Sequence, residues 1–185
     1  MSVIENIAAV LRPILDLPPI RRVRRNHGLE HATIHILARS RQNFRAAGRS
    51  HPGGFYLYGD LETDEVRHAV AEALRRMRAG EHGLAVHPNC GTNLLATGTL
   101  AALAGIVGSA GTRRWQGYVE RFPAILLMVI GALVLSQPLG LALQRHITTL
   151  GDPGDLVVTG IDCHEVSGPF GGGRMTIHHV HTQQG

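Results

Sequence analysis

The chain has 185 residues, of which 44% are hydrophobic, 17% charged and 4% aromatic. That apolar content excludes disorder, two cysteines exclude a disulfide scaffold, and the lack of a Gly-X-Y or heptad period excludes collagen and coiled coil. All 18 basic side chains are arginines, set against 14 acids, for a net charge of +4, and residues 92–144 carry very few charges.

Residues 2–15 read as a short amphipathic helix, with Ile4, Ile7, Ala8, Leu11 and Leu15 near one face. Pro13 and then Pro18-Pro19 interrupt or end it. Arg21, Arg22, Arg24 and Arg25 follow, and an apolar helix beside arginines suits a membrane surface. Packing on its own domain is the competing reading. The first residues hold an acid and no base, unlike a secretory signal. Asn26 is placed as the N-cap of the next helix, HGLEHATIHILARSR. Residues 46–54 read as a loop and 55–58 (FYLY) as a strand. A helix over 64–79, capped by Asp60 or Thr63, carries the stripe Val66, Val70, Ala73, Leu74 and Met77 and stops at Gly80. Residues 84–86 read as a further strand.

Two apolar segments come next, Leu94–Ala110 and Phe122–Leu143. A membrane span needs about 20 mostly apolar residues, which the second meets more fully than the first. Ala101, Gly105 and Gly108 are small enough for close helix contact, so the pair reads as a transmembrane hairpin rather than two core helices. Arg113, Arg114 and Arg121 lie in the connecting loop with Trp115 and Tyr118 as interface anchors. The longer basic stretch before residue 92 places the N-terminal domain, and with two spans the C-terminus, on the cytoplasmic side. The tail reads as a β-hairpin, DLVVTGIDCHEV and RMTIHHVHT, turning at GPFGGG.

The expected architecture is an α+β cytoplasmic domain interrupted by a two-helix transmembrane hairpin in the inner (plasma) membrane. Its parts are a membrane-proximal segment at 1–25, soluble sequence at 26–91, the hairpin at 92–144, and a closing β-hairpin at 145–185. The expected partners are the lipid bilayer and an unidentified protein or small molecule. Nucleic acid is not expected, because arginines beside apolar spans are explained by lipid.

His27-Gly-Leu-Glu30-His31 is the sharpest chemical feature. On a helix His27 and His31 share a face, where two imidazoles one turn apart can grip one metal ion. Glu30 is the candidate catalytic base, or a partner that fixes a histidine tautomer. His35 continues the face, but eight helical residues rise about 12 Å, too far for it to share an ion with His27. His87-Pro-Asn-Cys90 has a ligand spacing found in zinc knuckles. His27, His31, His87 and Cys90 together offer four donors suited to zinc. A closed shell of four would be structural, whereas hydrolysis needs an open position for water. In the tail, His179 and His181 would face one way on a strand and His178 the other; a His-x-His pair can bind metal, so the tail could complete or supplement such a site.

HGLEHATI at 27–34 followed by HPNCGTN at 87–93 resembles the YqhQ-like group of bacterial membrane proteins, and most of all its smaller two-motif relatives. That group is described as predicted metal-dependent enzymes without an established substrate. The resemblance implies that His27, Glu30, His31, His87 and Cys90 are the functional positions, at a metal site beside a membrane. Leu29, Ala32 and Asn89 depart from the residues usual in that group. The functional expectation is a metal-dependent hydrolase of unknown substrate, or a non-catalytic membrane scaffold with a structural zinc.

Overall fold

The computed structural model describes residues 3–41, 44–112, 114–167 and 174–185. The elements in order are α1 (Val3–Leu15), α2 (Pro18–Ser40), β1 (Ala46–His51), β2 (Gly54–Gly59), α3 (Thr63–Arg78), α4 (Gly91–Ser109), α5 (Trp115–Leu143), β3 (Val157–Ser167) and β4 (Arg174–Gln183). A 3-10 turn spans His82–Ala85, and a π-helical turn spans Gln144–Thr148. The chain forms two units, one of residues 1–87 with 145–185, the other of residues 88–144.

In the first unit the strands pair antiparallel in the order β1-β2-β4-β3. Opposite partners Phe55 and Val180, and Leu57 and His178, project to the face covered by α2 and α3. Leu29, Ala32 and Leu37 of α2 meet Val66, Val70, Ala73 and Met77 of α3 in that core. Burying each of the larger side chains stabilises the unit by about 1.5–3 kcal/mol. The expected stripe of α3 and its stop are present, with Gly80 at φ +96. The residue before α3 is Glu62, which makes no side-chain cap, and the Thr63 hydroxyl instead meets His178 Nε2 at 3.0 Å.

Several local expectations are corrected. Pro13 lies inside α1, and Pro18-Pro19 open α2 rather than closing α1. Proline at the first helical positions lacks only an N–H that would be unpaired there anyway. The arginine run is therefore helical, and Asn26 is an interior residue of α2 rather than its cap. Its buried amide donates to His51 O at 2.8 Å and accepts from Thr182 Oγ1 at 2.8 Å. Arg24 is also buried. Its guanidinium donates to the carbonyls of His146 and Thr149, 3.2 and 3.4 Å away, and Arg25 pairs with Asp155 at 3.0 Å. Residues 46–51 are strand β1 rather than loop, held by a full register with β2. Residues 82–85 form a turn, not a strand. The GPFGGG segment lies outside the described residues.

In α1, Ile4, Ala8, Leu11 and Leu15 are half-buried. Val3, Ile7, Val10 and Ile14 form a second, exposed apolar stripe.

The second unit is a helical hairpin. Thr97 Oγ1 donates to Ser136 Oγ at 2.8 Å, and Gln144 Nε2 to Asn93 Oδ1 at 2.9 Å. A side chain on Gly108 would meet Ile125 at 2.9 Å, so glycine is needed for the close approach there, whereas Gly105 has open space. Both helices are long and apolar enough to cross a membrane, with mean hydropathies of 1.3 and 2.2. Leu94, Leu95, Ile106, Phe122, Leu127 and Val134 are all more than half exposed.

Candidate metal centre

The centre in the first unit is built on α2. His27 and His31 are one turn apart, and their ring centres stand 4.4 Å from each other. His27 Nδ1 lies 3.0 Å from Thr148 O, and His31 Nδ1 lies 2.8 Å from Ala85 O. A backbone carbonyl can only accept, so each Nδ1 carries the proton. Nε2 is then the nitrogen of each ring left to ligate a metal. An imidazole held through one nitrogen by a carbonyl is the usual arrangement of a metal-ligating histidine.

The segment that follows Thr148 packs against Gly28. A Cβ there would stand 2.4 Å from Leu150 O. Leu150 N–H in turn donates to Arg24 O at 3.0 Å, docking the segment after the π turn against α2. Glycine inside a helix ordinarily costs about 1 kcal/mol relative to alanine, and here it admits a backbone.

His87 follows the 3-10 turn. Its ring centre is 4.7 Å from that of His35 and 6.0 Å from that of His31. Burial, with His35 and His31 adding to it, pushes the His87 pKa down to about 4. His35 Nε2 donates to Val86 O at 2.9 Å. His87 thus stands nearer to His35 than to His31, an approach that spacing along the chain did not signal.

Glu30 is buried and turned to β1. Its Oε2 accepts from Ser50 Oγ at 2.5 Å. Its Oε1 occupies the space that a side chain on Gly48 would need, since a Cβ there would stand 2.1 Å from it. Burial raises the Glu30 pKa, while the Ser50 bond and His27 pull it back. Sequence reasoning missed Ser50 and Gly48, whose only signal was small residues within a segment read as loop. Cys90 belongs to the helical unit, where it is the N-cap of α4 and its sulfur accepts from Thr92 N–H at 3.4 Å. The second cysteine, Cys163, is exposed on β3.

A helix-backed antiparallel sheet with an imidazole cluster on its first long helix, joined to an apolar helical hairpin, defines the class of protein. Residues 22–161 match the family described as Domain of unknown function (DUF6391), and the chain belongs to that family. It is similar to an uncharacterised protein of the cyanobacterium Picosynechococcus, 33% identical over 159 residues, which span 78% of this chain and 74% of that protein. No solved structure matches.

Proposed function

We propose that this is an integral membrane protein that holds one zinc ion on His27, His31, His87 and Cys90 and catalyses metal-dependent hydrolysis. The observation that carries the metal reading is the pair of imidazoles of His27 and His31, each held through Nδ1 by a backbone carbonyl so that Nε2 is the nitrogen that can ligate. A neutral His87 adds a third nitrogen donor on the same unit. Cys90 follows it by three residues, so the chain keeps the two Cα atoms within roughly 11 Å. Nitrogen and thiolate donors together favour zinc over manganese.

When bound, zinc would supply Lewis acidity for attack by water. For this chemistry one of the four donors must give way to water, and Glu30 would hold the proton removed from it. The resemblance to the YqhQ-like group supports an enzyme. The membrane reading rests on the hairpin, whose polar groups bond to each other while its apolar side chains face outward. The exposed stripe of α1 supports it further.

One observation favours a non-catalytic scaffold instead. Glu30 is committed to Ser50 and desolvated, which suits a residue that positions α2 against β1. Metal content of detergent-purified protein tests the first point by mass spectrometry. About one tightly held zinc per chain is expected, lost in both His31→Ala and Cys90→Ala. Wild-type protein that neither contains nor takes up zinc would overturn the reading. Glu30→Gln separates the two roles, because an enzyme loses turnover with its zinc retained, whereas a scaffold keeps its zinc and loses only stability.

A further inference from the structure

The sheet face turned away from α2 and α3 carries a second cluster of imidazoles. Along β4, Thr176, His178 and Val180 enter the core, so His179 and His181 take the opposite face. Strand pairing sets Tyr56 and Asp162 on either side of His179. His181 Nε2 lies 2.6 Å from Asp162 Oδ2, and the rings of His179 and His181 are 3.8 Å apart between centres. One ligand atom from each of Asp162, His179 and His181 lies within 4.8 Å of the others. Tyr56 stacks on His179 at 4.2 Å, and His51 Nε2 comes to 2.9 Å from His179 Nε2.

We propose that Asp162, His179 and His181 bind a divalent transition-metal ion at a site separate from the His27 group. Two imidazoles and one carboxylate form a donor set used for zinc and ferrous iron, and three protein ligands leave a position for water. Donor atoms on one such ion stand about 3.0 Å apart in octahedral and about 3.4 Å apart in tetrahedral coordination, at bond lengths of about 2.0–2.2 Å. The present 2.6 Å contact between His181 and Asp162 therefore needs to open by about 0.4–0.8 Å. For an ion to take His181 Nε2, the proton that this nitrogen donates to Asp162 moves to Nδ1, so that a neutral imidazole and an ionised carboxylate remain as ligands.

His51 has a different role. Its Nδ1 accepts from Gly53 N–H at 3.1 Å, so its own proton is on Nε2. It donates to His179 Nε2, so an ion that takes that nitrogen displaces this hydrogen bond, and His51 borders the cluster rather than ligating. The register shift between Val158 and Gly160 places a glycine opposite His181. A Cβ at Gly160 would approach the His181 ring at 4.0 Å, so that side of the ring stays open. An ion here would clip edge strand β3 to β4 through side chains, where α2 and α3 give that face no cover.

The test is a Co2+ titration of chelator-treated full-length protein in detergent, followed by visible absorption and by calorimetry with Zn2+. His31→Ala and Cys90→Ala, which address the other site, should still bind one equivalent. Asp162→Asn and His179→Ala should each bind one equivalent fewer than wild type, or bind it at least about tenfold more weakly. The Asp162 side chain is 64% exposed, so its replacement should leave the thermal melt of the metal-free protein unchanged. Wild type and Asp162→Asn taking up the same number of ions with the same affinity would overturn the proposal. So would a wild type whose whole metal uptake disappears in folded Cys90→Ala. Loss of copurified zinc in His31→Ala bears only on the first site, so the two readings fail independently.

Discussion

At position 28 a single hydrogen atom in place of a side chain decides how α2 meets the backbone of residues 148–150. An added methyl group would collide with Leu150 O, a backbone atom that cannot rotate away. Gly28→Ala should therefore destabilise the first unit by roughly 1–3 kcal/mol, although alanine is the better helix former. It should also weaken zinc retention, because Thr148 O holds the His27 ring. A denaturant midpoint equal to wild type would show that the segment yields instead. His178 is a second residue with a stated cost. It is fully buried, bonded to Thr63 through Nε2, and its Nδ1 has no hydrogen-bond partner among the described residues. Burial holds its pKa below the ordinary 6.5. Below pH 6.5 the unfolded chain takes up a proton that the folded ring refuses, so stability falls as pH drops and levels off below the folded pKa. His178→Leu should flatten the acid side of a stability–pH profile. An unaltered slope would place the responsible titration elsewhere.

At the scale of the element, α2 is held by polar contacts as much as by its apolar side. Leu29 and Leu37 of its apolar side lie in the core. The same helix buries Asn26, which bridges β1 and β4. Asn26→Ala should cost about 1–3 kcal/mol for the stranded His51 carbonyl or Thr182 hydroxyl, read as a lower denaturant midpoint with an unchanged slope. Strand β1 shows the opposite case. AAGRSH has few residues that favour strands, so its own composition argues for a loop. Pairing with β2, and the seating of Glu30 against Ser50 and Gly48, override that preference. By charge alone, the arginines before Asn26 suit lipid. Arg24 spends its charge on carbonyls exposed by the π turn, and Arg25 on Asp155.

At the scale of the whole molecule, two helices of membrane-spanning length and composition predict that the protein stays with the membrane fraction after an alkaline carbonate wash. Release into the supernatant would mean that the exposed apolar side chains are covered by protein instead. Periodicity and length were legible before any coordinates, because they reflect steric and solvation rules that act within a few turns of chain. They placed His27 and His31 on one face, outlined α3, and marked both apolar helices. Spacing cannot report which distant atom completes a polar group. The carbonyls of Ala85 and Thr148 that set the imidazole tautomers, Ser50 on Glu30, and His35 rather than His31 beside His87 all depend on segments far apart in the chain. Those contacts arise only when the sheet and helices pack, because buried polar groups must find partners wherever the fold supplies them.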